Sequence, residues 1–530
     1  MAATATKPFE SAEHSTWKPH HNPWAIALTV TLATFMEVLD TSIANVSLPH
    51  IAGSLAASQS EATWVISSYL VANAVILPIS GYLATLIGRK RFYMTCVALF
   101  TISSLLCGLA ANLPMLIFFR VLQGAGGGGL QPSEQAILAD TFPPAKRGMA
   151  FAIYGMAVVL APAIGPTLGG WITDNASWRW IFFLNVPVGI VSLFLSHRVV
   201  EDPPWVRARG RSIPIDYVGL SLIVLGLGAL QYVLDKGQRD DWFASGLITF
   251  MFVVSVLAIV ALVVWELTHD HPILELRLLG NRNLSIACVM MLALGIVLFG
   301  SIVILPQYLQ VVMGYSAVDA GMVLSPGGIV VIALLPFVGR LLAHVDGRWL
   351  VAFGFLASAV ALFVMTGIYP GISFGTAVRW RCYQSVGLAF LFIPITTAAY
   401  VGVPAGKNNQ VSALTNLMRN LGGGIGISVA QTLLSRRAQF HQQHLVSHVT
   451  AYSPTLRQML GGLGQALAHR GAATVAATRR AYAIIYGMVQ AQATTLAFID
   501  ILWVLAIGCL LLTPLAFAMH KTKPGAVQMH

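Results

Sequence analysis

Charge is what this 530-residue chain has least of. Asp, Glu, Lys and Arg make up 10% of it, where an ordinary soluble domain carries about a quarter. Beside 56% hydrophobic residues and a mean hydropathy of +0.74, that shortage excludes a soluble globular protein and leaves an all-α polytopic membrane protein. Cysteine is scarce as well. The five, Cys96, Cys107, Cys288, Cys382 and Cys509, lie far apart within apolar stretches, which excludes a disulfide framework or a zinc cluster. There is no G-x-x-x-x-G-K-[ST] sequence, so ATP is not supported as the direct energy source, and an ion gradient remains. The first 22 residues are polar and lead into no short apolar core with a cleavage site, so no leader is expected to be removed. No nucleophile, base and orienter gather at one membrane level, so the chain reads as no enzyme and needs no cofactor. The formal charge of +11 is spread over short loops, where membrane orientation accounts for it and nucleic-acid binding does not.

What the chain has in abundance is apolar runs of about 20 residues, the length that crosses a bilayer. Fourteen are expected, near 24–48, 63–86, 92–111, 114–138, 148–171, 180–199, 217–234, 243–265, 284–309, 317–341, 349–368, 375–402, 411–434 and 495–519. With the amino terminus inside, 18 of the 31 Lys and Arg fall on cytoplasmic segments and inner span ends, among them Lys7, Lys18, Arg207, Arg209, Arg211 and Lys523. The short outer loops hold four, Arg179, Lys236, Arg239 and Arg379, and the long 435–494 loop holds six. Both termini are therefore expected to be cytoplasmic.

The chain also repeats itself. Leu48-Pro49 recurs as Leu305-Pro306, Gly81 as Gly339, Gly88-Arg89 as Gly347-Arg348 and Arg120-x-x-Gln123 as Arg381-x-x-Gln384, at offsets of 257 to 261. Two six-helix halves in parallel orientation follow, with the helices in 217–265 inserted between them and a substrate path at the interface. The expected organisation is a tail at 1–22, a first half at 23–199, a linker with the inserted pair at 200–282, a second half at 283–519 and a tail at 520–530.

Against this background Glu37 and Asp40 stand out, the two charged residues between Trp24 and Leu48. A charge near the bilayer centre costs ~2.5–3.5 kcal/mol, so these carboxylates are expected to face the bundle interior or a cavity. At 1.5 Å per residue, Asp40 lies roughly 13 Å below the outer end of the first span and Arg120 roughly 9 Å below that of the fourth. An acid and an arginine at one depth lower each other's burial cost, and protonating the acid breaks that balance. Gln123 and Asn45 can hold the guanidinium or a water. Glu134, in the inner third of the fourth span, reads equally as a proton site or a snorkelling cap. Arg381 has no matching acid, which favours a structural role, and Arg419 and Asp500 read as interface anchors. Gln307, Tyr308 and Asn416 are candidates for a mainly apolar substrate cavity. Gly155, Gly165, Pro166, Gly169 and Gly170 in the fifth span, with Gly422 to Gly424 and Gly426 in the thirteenth, read as contact and hinge surfaces.

Taken together, Leu39 to Pro49, Arg120-x-x-Gln123-Gly124 and Gly155 with Gly165-Pro166-x-x-Gly169-Gly170 resemble the major facilitator superfamily, and within it the 14-helix drug:H⁺ antiporters of the EmrB/QacA type. Trp178 to Pro187 and Gln231-Tyr232-x-x-Asp235-Lys236-Gly237 before Asp241-Trp242 resemble the EmrB branch in particular. The resemblance implies proton coupling at Asp40 and Arg120 and an antiporter element in the fifth span; Glu37 and Glu134 are added as proton-coupling candidates by their place inside apolar spans, not by the resemblance. The resemblance also implies a cytoplasmic gate formed by Gly81, Gly88, Arg89, Asp346 and Arg348. The chain departs from the family where many members carry an acid and this sequence has Thr85. The implied function is proton-driven export of lipophilic, drug-like molecules by alternating access, from the inner membrane of a Gram-negative bacterium. A metabolite symporter and a non-transporting sensor or scaffold are the alternatives. The 435–494 loop mixes Arg436, Arg437, His441 and His444 with apolar residues at helical intervals, as in amphipathic helices outside the membrane. His441 and His444 lack a completing ligand for a metal, and the loop suits docking; the resemblance implies a periplasmic membrane-fusion adaptor and an outer-membrane channel.

Overall fold

The computed structural model describes residues 19–203, 216–404, 406–450, 452–469 and 474–521. Most of the expected tails, and Lys7, Lys18, Arg207, Arg209, Arg211 and Lys523, lie outside the described residues. Among the described residues the regular structure is helical throughout, with no strands. Apolar runs dictate this, because a backbone in lipid must satisfy its own N–H and C=O groups.

The first group comprises α1 (Pro23–Ser54), α2 (Trp64–Ile87), α3 (Arg89–Leu109), α4 (Leu113–Gly127), α5 (Leu130–Thr141), α6 (Pro144–Asn175), α7 (Trp180–Phe183) and α8 (Asn185–Val199). Then come α9 (Tyr217–Lys236) and α10 (Gly246–Thr268). The second group comprises α11 (Arg282–Val311), α12 (Ala317–Leu341), α13 (Gly347–Met365), α14 (Phe374–Ala399), α15 (Asn408–His448), α16 (Pro454–His469) and α17 (Thr474–Leu512). Polar side chains close the helix starts. Asn22, Asn112, Asp216, Asn281, Asp346 and Ser373 each accept a backbone N–H, and Ser316 with Asp319 forms a capping box.

Among the described residues, twelve helices are long and apolar enough to cross a membrane, or 13 if α6 counts as one span bent by 43° between Pro144–Pro162 and Thr167–Asn175. The expected span at 411–434 lies in α15, whose polar residues keep it out of that set. The expected fourth span is α4 and α5 joined by a turn at Gly128 and Gly129. Glycine is needed there for close approach. A Cβ would fall 2.4 Å from the Tyr69 carbonyl oxygen at Gly124, 2.7 Å from the Phe100 nitrogen at Gly126 and 2.6 Å from the Asn73 carbonyl oxygen at Gly128.

Within the first group α1 packs on α6, and α4 on α2 and α3; within the second α11 packs on α15, and α12 and α13 on α14. A seam between the groups is built by α6 on α12 and α14, and by α2 and α5 on α15. The pair α9–α10 flanks it, with α9 touching both α2 and α15. The repeat is visible in detail. Pro49 and Pro306 each stand five residues before the end of α1 and α11, and Arg120 to Gln123 at 2.8 Å is matched by Arg381 to Gln384 at 2.7 Å.

The 435–494 segment is largely helical where it is described. Both α15 and α17 continue unbroken into it, with α16 between them. Asp500, expected to be an interface anchor, instead ties the two long helices together: it accepts from Arg437 at 2.6 Å and lies 2.7 Å from His441.

Candidate functional site

Asp40 is held by three donors. Arg120 Nη1 donates to its Oδ2 at 2.6 Å, while Gln123 Nε2 at 3.0 Å and Asn185 Nδ2 at 2.7 Å donate to its Oδ1. Asp40 is 2% and Arg120 0% exposed. The guanidinium is held on its other sides, donating from Nε to the Val65 carbonyl at 2.9 Å and from Nη1 to Gln123, and lying 4.4 Å from the centre of the Tyr69 ring. Asn185 in turn donates to Ser104 at 3.0 Å. Such a pair is worth keeping only with its remaining lone pairs and protons satisfied, which these bonds achieve. All the partners belong to the first group. Sequence reasoning assigned no role to Asn185, Ser104 or Tyr69. An asparagine opening an apolar run was the available signal for Asn185.

Glu37 lies one turn away on α1. It accepts from Tyr69 at 3.2 Å, Asn73 at 3.3 Å and Gln131 at 2.7 Å. Glu134 does not snorkel. It is 0% exposed and accepts from Thr31 of α1 at 2.5 Å. Arg419 is no interface anchor either: it is buried in the seam, donating to Gln131 and, at 3.4 Å, to the Tyr154 hydroxyl. The reason is sequence-distant: α15 packs on α2 and α5, which brings polar side chains from both groups to that depth.

The cavity candidates do not converge. Asn45 is exposed and donates back to Thr41 of its own helix at 2.8 Å. Gln123 is committed to Asp40 and Arg120. Gln307 accepts from Gln431 at 3.0 Å, and buried Tyr308 packs edge-on against Phe498 of α17. Asn416 donates to Gln135 at 2.8 Å across the seam.

At the end of the seam bearing Gly88, the two groups are in direct contact. Arg89 donates to Asp140 and, at 3.1 Å, to the Ala136 carbonyl, while Asn408 of α15 donates to the same Asp140. Lys407 pairs with Glu275. A Cβ at Gly81 would stand 3.0 Å from the Asn409 carbonyl oxygen, and Gly148 and Gly339 pack backbone to backbone at the same separation. Gly88 itself has φ +91°, a conformation that requires glycine. Asp346 and Arg348 lie at the start of α13. They pair with each other at 2.8 Å, and Arg348 reaches the Met519 carbonyl. Asp140, which sequence reasoning did not single out, is the acid that meets Arg89; the Thr85 hydroxyl turns back to the Gly81 carbonyl.

The fifth-span glycines divide by face. Cβ atoms at Gly165 and Gly169 would strike Ser42 and Ile43 of α1 at 2.3 and 2.8 Å, whereas Gly155 faces Leu335 and Phe392 of the second group at 3.2 and 3.3 Å and Gly170 faces Val318 at 4.0 Å. The side chain of Pro166 lies outside the described residues.

Comparison with known proteins agrees with this architecture. Residues 30–427 match the Major Facilitator Superfamily as a family. The chain is 41% identical over 453 residues to the multidrug export protein EmrB of Escherichia coli strain K12, covering 84% of this chain and 88% of that protein. It is 40% identical over 440 residues to the fatty acid resistance protein FarB of Neisseria gonorrhoeae, covering 83% and 86%. Among solved structures, the proton:xylose symporter XylE bound to 6-bromo-6-deoxy-D-glucose superposes with a TM-score of 0.56 at 16% identity, covering 89% of this chain and 94% of that one.

Proposed function

The chain belongs to the Major Facilitator Superfamily, and from that premise we propose that it is a multidrug efflux transporter of a bacterial membrane, driven by protons. Multidrug export and fatty acid resistance are the activities for which its relatives are named, and lipophilic small molecules are the substrate class proposed for this chain. Fourteen spans, with α15 supplying the one its composition conceals, and both termini in the cytoplasm complete the topology. The inner membrane of a Gram-negative cell is its place. The two six-helix halves alternate access about the seam, and the end sealed by Arg89, Asp140 and Asn408 is the cytoplasmic one.

The observation that carries proton coupling is the fully buried Asp40–Arg120 pair with Gln123 and Asn185 completing the carboxylate's shell. A proton arriving from the outer side neutralises Asp40, leaves Arg120 uncompensated and so changes the relative stability of the two orientations. Release on the inner side restores the pair. The paired helices α15 and α17 expose Phe440, Val446, Tyr482, Tyr486 and Met488, which suits docking to a periplasmic adaptor that leads to an outer-membrane channel.

Efflux of a fluorescent drug from vesicles with an imposed pH gradient tests the reading, together with drug susceptibility of an efflux-deficient host with and without a co-expressed adaptor. Gradient-driven export that requires Asp40 is the expected result. Uptake down the proton gradient with the same dependence would replace export by symport.

A further inference from the structure

Every hydrogen-bond partner of Asp40 lies in the first group, so its protonation reaches the seam only indirectly. Glu37 is differently placed. Its partner Gln131 spans the seam: the Nε2 of that amide donates to Glu37 at 2.7 Å, and its Oε1 accepts from Arg419 of α15 and from the Tyr154 hydroxyl at 3.0 Å. Arg419 is 3% exposed, its Nε has no partner, and among the described residues no carboxylate lies within ion-pair reach of it. One neutral amide thus separates a buried cation of the second group from a buried carboxylate of the first.

The chemistry of the amide fixes how the three communicate. A guanidinium only donates, so the Gln131 oxygen must face Arg419, which leaves its NH₂ facing Glu37 and demands an acceptor there. Ionised Glu37 meets that demand with a charge-assisted bond, which polarises the amide and strengthens its oxygen as an acceptor for Arg419. Adding one proton to Glu37 weakens both bonds and removes the negative charge that offsets the cation. Arg419 is then left in the seam at a cost that opening to water relieves. The titratable and charged groups around Glu37 are Asp40 on its own helix, Tyr69 from α2, Arg120 from α4, Glu134 from α5, Tyr154 from α6 and Arg419 from α15. Of these, Tyr154 and Arg419 contact the relay amide itself.

We propose that Glu37, Gln131 and Arg419 form a proton-sensitive latch across the seam, in which Gln131 is a positioning residue that transmits the ionisation of Glu37 to the second group. The latch rests on the proton-driven reading above and gives it a second coupling site, the one that touches both halves.

Spin labels at Ile87 and Val401, exposed positions near the sealed end of each group, report its opening by pulsed electron resonance in nanodiscs. In the unsubstituted relay, acidification is expected to lower the closed population by about tenfold or more, the weight of an ionic hydrogen bond. Gln131→Leu is expected to show the acid distribution already at alkaline pH and to respond no further, while Arg419→Lys keeps part of the response. A distribution and pH response in Gln131→Leu equal to the parent overturns the latch. A second measurement is independent of any one variant's folding. Glu37→Gln and Arg419→Gln should each reduce the closed population, and together no more than either alone; effects that multiply independently overturn it. Asp40→Asn in the same labelled protein is expected to keep the part of the response that Glu37 carries, and complete loss of the response there overturns the latch. Its vesicle transport separately tests the export reading, so failure of one is distinguishable from failure of the other.

Discussion

Replacing Asp40 with asparagine removes one charge and almost no volume, which makes it the sharpest perturbation of the candidate site. The carboxylate is 2.6 Å from Arg120 Nη1, and both residues are almost wholly out of solvent. Two unit charges about 4 Å apart attract by roughly 4 kcal/mol at an effective dielectric of about 20. Part of that returns, because the variant no longer buries a carboxylate. The asparagine oxygen can still accept from Arg120, and the guanidinium keeps the Val65 carbonyl, Gln123 and the Tyr69 face. The net destabilisation is therefore ~1–3 kcal/mol, below the ~3–5 kcal/mol of deleting one partner of a buried pair outright. Thermal unfolding in detergent should show a protein that is folded but less stable. Efflux driven by a pH gradient in vesicles should be abolished, while drug binding without a gradient persists. Asn185→Leu, which removes one donor from the same carboxylate at 2.7 Å, should cost about 1.5–3 kcal/mol and retain reduced transport. Gradient-driven export by Asp40→Asn at the parental rate would refute the assignment of coupling to this pair.

Other expectations are tied to single contacts. Gly124→Ala would place a methyl group 2.4 Å from the Tyr69 backbone oxygen and should destabilise by ~1–3 kcal/mol, whereas Gly508→Ala, with nothing within 4 Å, should be neutral or stabilising by up to ~1 kcal/mol in the same unfolding assay. Asp140→Asn removes the acid that Arg89 shares with Asn408; cysteines placed at the sealed end should then alkylate faster, and an unchanged rate would mean the seal stands without it. Asp500→Asn breaks the tie to Arg437 and His441, a part-exposed cluster worth about 1 kcal/mol or less, so stability should barely move while protease cleavage of the paired α15 and α17 increases. Deleting residues 449–473 should leave vesicle transport intact and abolish adaptor-dependent drug resistance in cells.

The repeat, the apolar spans and the acids in α1 were legible because each rests on a local pattern. Apolar runs must be helical in lipid, and a near-constant offset between matching residues needs no knowledge of contacts. Asp40 and Arg120 were brought together by depth alone, since a helix's rise converts residue count into distance. Depth along a helix says nothing of azimuth, however. That is why Tyr308, at a suitable level, turned out to face Phe498 in α17, and why Arg419 read as an anchor when it lies inside the seam. Helices were legible in the 435–494 segment, but not that α15 and α17 run past the expected span ends at 434 and 495, because polar residues resemble a boundary while the two helices pair with each other.

By itself, then, the amino-acid order determined that this chain is a helical membrane protein with residue patterns that recur at a near-constant offset, and with costly charges placed where only a protein interior or water can receive them. Only the tertiary structure decided which charges meet: Asp40 with Arg120, Arg89 with Asp140, and Glu37 with Arg419 through one glutamine. Hydrophobic and backbone terms are set by composition and neighbours along the chain. A hydrogen bond between residues 80 or 288 positions apart depends instead on the rotation and crossing of packed helices, which the whole bundle settles together.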